Sequence, residues 1–497
     1  MAKRIEQTDS RIVSERSPLT EGRKLWLVVG ISILVLLPCV WHGRIEAGDL
    51  GSHIYNAWLS QLIGRGQAPG LQIVPQWSNV LADVALAGLG NALGFAAAEK
   101  IVVGLSVLIF FWGAFALIAA ATERAPWFLV PGLAMVAYGY TFQMGFINYY
   151  LSLGLAFWVI ALLWRGRATH WIMGLILAGL VLSAHLMGFM WLVGAAAYIK
   201  VAERLSKGRW CLPILSLVTI LTAHFYVAHL YRTFNFVGWH VYHLLGFDQL
   251  VLYSHRYRVM AMVVLVLTIL IARQDALRRW RSGEFWRIVR TPLELWVIAV
   301  FATAMLWAGI MIPKYATSFT YVAARFTSVT AVLGFCVLGC MRPRRWHAVC
   351  LGICAAVFFA WMYRDTGRLY KMEVQAERLV NALPPGTRVV QTILMPKGSR
   401  VDAIHILDRA CIGRCFAYAN YEPASGQFRI RAKPGNAFVA TSSENVEAMQ
   451  RGSYIVRPED LPLAEIYQCD QSDLSKLCVR DLAAGEMNGP PVRFAPR

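Results

Sequence analysis

Apolar residues along this chain fall in long, nearly uninterrupted runs, and short polar gaps carrying Arg and Lys separate them. A helix needs about 20 such residues to cross a ~30 Å hydrocarbon layer. The pattern predicts eleven membrane-spanning helices at roughly 25–41, 101–121, 126–143, 147–164, 169–183, 187–203, 211–231, 258–273, 292–312, 324–340 and 347–363. Thr169–Leu205 would be about 55 Å long as one helix, at 1.5 Å per residue, so it is expected to break at Ser183–Gly188. Asn79–Gly94 is apolar but interrupted by Asp83, Gly88, Gly90 and Asn91, and reads as an interfacial helix rather than a span.

Beyond about Asp365 the pattern changes to that of a soluble segment, large enough for a core of its own. A helical stretch at Tyr370–Ala382 precedes strand-like Arg388–Ile393, Phe428–Ala432 and Ala437–Ala440, with a short helix at Ser443–Arg451. The expected fold is therefore a polytopic α-helical membrane protein with a C-terminal extracytoplasmic small α/β domain. Its parts are a cytoplasmic segment 1–24, a membrane domain 25–364 with a first outer loop 42–100, and the tail 365–497.

Charge decides the sides. Alternate gaps hold 22 basic residues on one side, including Arg273–Arg290, against 8 on the other up to residue 325. The positive-inside rule then places the N-terminus in the cytoplasm and the first loop and tail outside. The first apolar run lacks a small-residue cleavage site and is expected to stay as an anchor. Most of the net charge of +19 is this topology signal, with the lipid bilayer's anionic headgroups as its partner, so no nucleic-acid binding is expected. The absence of an N-x-S/T sequon favours a bacterial inner membrane over a eukaryotic secretory one.

Ten cysteines are present, and Cys411, Cys415, Cys469 and Cys478 lie in the tail. Outside the cytoplasm at least one disulfide is expected among these four; free thiols and a four-cysteine zinc site are the alternatives, and C-x3-C with C-x8-C suits zinc poorly. The i, i+4 pairs Cys336/Cys340 and Cys350/Cys354 read as small packing residues.

Candidate chemistry sits just after the first run, in Glu46-Ala-Gly-Asp49-Leu-Gly-Ser-His53. A carboxylate at a membrane surface can take the proton of an acceptor hydroxyl as its oxygen attacks an electrophilic carbon. The alternative is that Asp49 merely caps the helix that follows. No P-loop, Rossmann fingerprint, G-x-S-x-G elbow or H-E-x-x-H helix occurs, which argues against nucleotide-driven chemistry.

A short cytoplasmic N-terminus, one span, a large acidic-led outer loop, an interfacial Ala82–Gly94 helix, Gly145-Phe-Ile-Asn-Tyr-Tyr150, the Ala184–Gly188 break and an outer tail together resemble the GT-C superfamily of membrane glycosyltransferases. That superfamily includes protein O-mannosyltransferases and lipid A aminoarabinose transferases. Many members carry two acidic residues closer together than Glu46 and Asp49, so the resemblance points to Asp49 first. It implies a GT-C-like fold, Asp49 and Glu46 as catalytic residues, a polyprenyl-phosphate-linked sugar as donor, and an acceptor (lipid, glycan or protein) that the sequence leaves unidentified.

A phosphate leaving group at headgroup level calls for a cation. The outer candidates are Arg325, Lys314, Arg258 and Arg256, with Arg325 foremost because it opens an apolar run. His53, His185, His240 and His243 are accessory candidates. The H-x2-H spacing of His240 and His243 could supply two ligands to a divalent metal, although interfacial anchoring is the simpler reading and a monophosphate leaving group needs no metal. His185 is expected to be a hydrogen-bonded buried histidine. No other cofactor is called for. A transporter or lipid flippase is the alternative function, and would require polar groups near the bilayer midplane, whereas the ionisable residues here gather at span ends. A non-catalytic scaffold presenting the tail is a third reading.

Overall fold

The computed structural model describes residues 21–166, 168–205, 209–231, 241–279, 281–307, 316–396, 398–470 and 473–489. Lys314 and His240 lie outside the described residues.

The first run forms α1 (Glu21–Val40), and a loop carries the chain into α2 (Leu50–Gly64), strand β1 (Leu71–Ile73) and α3 (Leu81–Leu93). At 13 residues and about 20 Å, α3 is too short to span. The next long helix is α4 (Phe95–Thr122). The expected span 126–143 is instead α5 (Val130–Ala137) and α6 (Tyr140–Gln143) broken at Tyr138-Gly139. Gln249 packs against the break: its side-chain oxygen accepts the Thr141 N–H at 3.0 Å, and a Cβ on Gly139 would lie 2.8 Å from its carbonyl oxygen.

Helices α7 (Ile147–Arg165), α8 (Ala168–Ala184) and α9 (Leu186–Arg204) follow. The last two are separated at His185, whose backbone is extended, where the length argument places a break. Then come α10 (Cys211–Tyr231), α11 (Val241–Leu244), α12 (His255–Arg279), α13 (Gly283–Trp307), α14 (Ala316–Gly339) and α15 (Arg345–Asn381). Among the described residues eight helices are long and apolar enough to cross a membrane, and three shorter apolar ones accompany them, as in a helical membrane protein. On α10, Leu215, Val218, Phe225 and Leu230 are exposed, a face that suits hydrocarbon and not water.

The arginine-rich gaps gather at one end of the bundle, where they cap helix ends. Arg124 donates to the carbonyls of Gly339 and Met341, and Asp275 accepts from Arg279 and the Arg342 N–H.

The sequence pattern puts a boundary near Asp365, but α15 runs through it for 37 residues, about 56 Å. Asp365 is held from the side, by Tyr257 and Arg256, so nothing there ends the helix. Beyond it lie β2 (Arg388–Thr392), α16 (Ile406–Ala410), β3 (Phe416–Ala417), α17 (Tyr421–Ser425), β4 (Ile430–Ala432), α18 (Ser443–Gln450), β5 (Leu463–Gln468) and β6 (Leu477–Leu482). A four-stranded sheet is ordered β3-β2-β5-β6, parallel at β2 and antiparallel between β5 and β6. Ala437–Ala440 is not a strand, because the Asn436 side chain takes the N–H groups of Phe438 and Val439 that a ladder would use. Cys411–Cys415 and Cys469–Cys478 are both disulfides.

Two devices join the tail to the first loop. Strand β4 pairs antiparallel with β1, Gln72 opposite Arg431. Behind it, Arg409 of α16 is buried among Glu46, Glu99 and Glu373: it meets Glu373 at 2.6 and 2.9 Å, Glu99 at 3.0 Å and Glu46 at 3.3 Å, and donates to the Ile45 carbonyl.

Candidate functional site

Backbone contacts fix Asp49 before any side chain is considered. Its N–H donates to the Met144 carbonyl, and that of Gly48 to Gln143, both at 2.8 Å. The approach is close enough that a Cβ on Gly145 would lie 2.5 Å from the Asp49 nitrogen, and Gly145 has φ +75°. Only glycine meets both demands without strain, which accounts for the Gly at the head of Gly145-Phe-Ile-Asn-Tyr-Tyr150.

The Asp49 side chain makes no cap bond to α2. It turns to the tail, where the Tyr421 hydroxyl lies 2.9 and 3.0 Å from its two oxygens. Two imidazoles flank it through their Nε2 atoms, His53 at 3.6 Å and His405 at 3.4 Å. Each imidazole is pinned on its other nitrogen by a carboxylate: His53 Nδ1 lies 2.7 Å from Asp83, and His405 Nδ1 lies 2.9 Å from Asp408. Asp83 is itself held by the Asn148 amide at 2.8 Å.

Burial would lower the pKa of His53, but the Asp83 carboxylate outweighs it, and with Asp49 and Glu422 lifts it to about 10. His405 is raised in the same way: burial opposes, while Asp408 and then Asp49 favour the cation. Glu422, whose Oε1 is 4.0 Å from His53 Nδ1, is pushed up to about 8 by burial and by the Asp83 carboxylate. Asp49 thus sits between two imidazoles whose charged forms are favoured, each already shared with another carboxylate.

A cavity of about 740 Å³ opens beside this cluster, between the bundle and the tail. Asp49 and His53 line it, as do Tyr149, His185, Tyr321 and Arg325 from the helices, and Gln427, Ser443 and Gln450 from the tail. Arg325 is half-buried on α14, with its guanidinium 3.8 Å from the centre of the Phe146 ring. Its Nε has no hydrogen-bond partner among the described residues.

Of the residues singled out from sequence, Asp49, His53, His185 and Arg325 therefore meet at one cavity. Glu46 does not: it is buried against Arg409, and burial, then the Glu373 carboxylate, raise its pKa well above the ordinary range. Its surroundings are those of a structural group. Arg258 is exposed and away from the cavity wall. Arg256 is committed to Asp365. His243 is buried with its ring stacked on Trp307 at 4.8 Å, which is a packing role. Among the described residues no group of three or more His, Cys, Asp or Glu is arranged to hold a metal ion.

Sequence reasoning missed His405, Asp408, Tyr421 and Glu422. The one local signal is the His405-Ile-Leu-Asp408 spacing, which puts a carboxylate one helical turn from an imidazole. No protein-family model matches the chain, and no curated protein or solved structure is significantly similar to it.

Proposed function

We propose that this chain is a membrane glycosyltransferase, moving a sugar from a polyprenyl-phosphate donor to an acceptor at the outer face of the membrane. One observation carries the reading: a carboxylate held by protein donors, Asp49, and an arginine nearly three turns into the apolar helix α14, Arg325, line the same cavity. The resemblance to the GT-C superfamily in topology supports it. The basic bias of 22 to 8 supports an orientation with the N-terminus in the cytoplasm and the site outside, and the absence of an N-x-S/T sequon favours a bacterial inner membrane.

In this reading the acceptor hydroxyl oxygen attacks the anomeric carbon and its proton passes to Asp49. The bond from that carbon to the phosphate oxygen breaks, and the phosphate leaves with the electron pair. Arg325 holds the growing charge, because a planar guanidinium offers paired donors to phosphate oxygens. Tyr421 and the two pinned imidazoles fix the carboxylate's orientation, and the tail wall offers the amide and hydroxyl groups of Gln427, Gln450 and Ser443 to the acceptor.

Release of polyprenyl phosphate from a panel of polyprenyl-phosphate hexoses and pentoses, with purified full-length protein, tests this. Asp49→Asn keeps the side chain's shape and its acceptor for the Tyr421 hydroxyl, and should slow release by ~10²–10⁴-fold in protein that still folds. Release at the parental rate would remove Asp49 as the base and the reading with it.

A further inference from the structure

His185 interrupts two helices at the cavity wall, and its hydrogen bonding fixes where its proton is. The Met187 backbone N–H donates to His185 Nδ1 at 3.1 Å. A backbone N–H is always a donor, so Nδ1 carries no hydrogen and the proton of the neutral ring is on Nε2. Capping α9 therefore occupies one edge of the ring only. The other edge, with its N–H, belongs to a side chain that lines the cavity.

Arg325 is tied to the same place through Tyr149. The His185 ring stands edge-on to Tyr149 at 5.3 Å, and the Tyr149 hydroxyl donates to the Arg325 carbonyl at 3.1 Å. Helix α9, 19 residues long, begins here, so the positive end of its dipole is added to the wall. Arg325 Nε still lacks a partner among the described residues. The other cations of the cavity are matched: Arg451 pairs with Glu447, and His53 and His405 with Asp83 and Asp408.

We propose that the His185 Nε2–H and the Arg325 guanidinium together form a phosphate cradle that takes a lipid monophosphate in preference to a diphosphate. The inference rests on the glycosyl-transfer reading and deepens it, by naming a second phosphate contact and the charge of the donor. A phosphodiester-linked sugar carries one negative charge and a free lipid monophosphate between one and two near neutral pH, in either case fewer than a diphosphate, and Arg325 is the lining arginine that makes no ion pair among the described residues. A diphosphate brings further charge toward Asp49 and Asp402, and among the described residues the other cations lining the cavity already face carboxylates.

Binding to the full-length protein in detergent is measured for geranylgeranyl phosphate, geranylgeranyl diphosphate, geranylgeraniol and inorganic phosphate. The monophosphate is expected to bind tightest. His185→Asn retains an acceptor for the Met187 N–H, because Asn is a competent N-cap, but loses the Nε2 donor. It should weaken monophosphate binding about 10- to 100-fold without lowering the melting temperature, the range for a hydrogen bond to a charged group. His185→Gln, which can place an amide N–H near the Nε2 position, should recover part of the loss.

Unchanged monophosphate binding by the folded Asn variant would reduce His185 to a helix cap and overturn the cradle while leaving glycosyl transfer intact. A diphosphate bound more tightly than the monophosphate would overturn the charge matching. Equal binding of inorganic phosphate would overturn the lipid source. Binding of geranylgeraniol as tight as that of its phosphate would instead count against the lipid-phosphate donor itself.

Discussion

Replacing Arg409 by Met removes the one cation shared by three buried carboxyl groups. Arg409, Glu46, Glu99 and Glu373 are 7%, 5%, 3% and 0% exposed, so water cannot take over the lost contacts without opening the joint between tail and first loop. Removing one partner of a buried ion pair typically costs about 3–5 kcal/mol, because the charge left behind is uncompensated. Divided by an unfolding entropy of ~2.1 cal/mol/K per residue over 497 residues, about 1 kcal/mol/K, this is a fall in melting temperature of roughly 3–5 °C.

The deficit should depend on pH in a set direction. Burial and the Glu373 carboxylate already hold Glu46 above the ordinary range, and Arg409 is what opposes them. Without the arginine the folded state favours the protonated Glu46 further. The variant therefore loses stability as pH rises through the raised Glu46 value and recovers as pH falls. Thermal unfolding of parent and variant in detergent at pH 5, 6.5 and 8 measures both effects. A melting temperature within 2 °C of the parent at pH 8, or a deficit larger at pH 5 than at pH 8, would refute the account.

The site itself should also titrate. Folding raises His53 from 6.5 to about 10 and Glu422 from 4.5 to about 8, so each contributes stability that is present below its unfolded value and lost as pH rises through the folded one. The parent should therefore soften from about pH 5 to pH 10, and His53→Gln with Glu422→Gln should flatten the fall; an equally steep decline in that double variant would place the titration elsewhere. Cysteines introduced at Gln72 and Arg431, opposed in the β1–β4 register, should cross-link on mild oxidation with activity retained; failure to form the bond in folded protein would mean that the pairing is wrong.

The helical segments were legible because hydrocarbon demands a run of fixed length, and the break at His185 because 37 residues are too many for one crossing. Asp49 and Arg325 stood out for a related reason: a charged residue at the edge of an apolar run costs free energy unless it has a task or a partner. The Gly139 break was not legible, since the residue packed against it, Gln249, is more than a hundred positions away. Nor were His405 and Tyr421. The tail segment that holds them is short in helix and strand, so neither period singles them out, and their meaning comes from an aspartate some 350 residues earlier, about which no local pattern can speak. Glu46 failed in the opposite sense. Its position beside Asp49 advertised chemistry, while its actual partner, Arg409, was equally remote.

The β1–β4 pairing sets a clock on biosynthesis. About 360 residues separate the two strands, and at ~5–20 residues per second a ribosome needs roughly 20–70 s to supply the second after the first. Throughout that interval Glu46 and Glu99 await the arginine that neutralises them, and Asp49 awaits the tyrosine that aims it. A nascent chain with every membrane helix already made is thus still without a finished cavity. A product cut short before Arg409 keeps Glu99 on the Ile45 N–H but leaves Glu46 without its ion-pair partner, a mark by which quality control could single it out for removal.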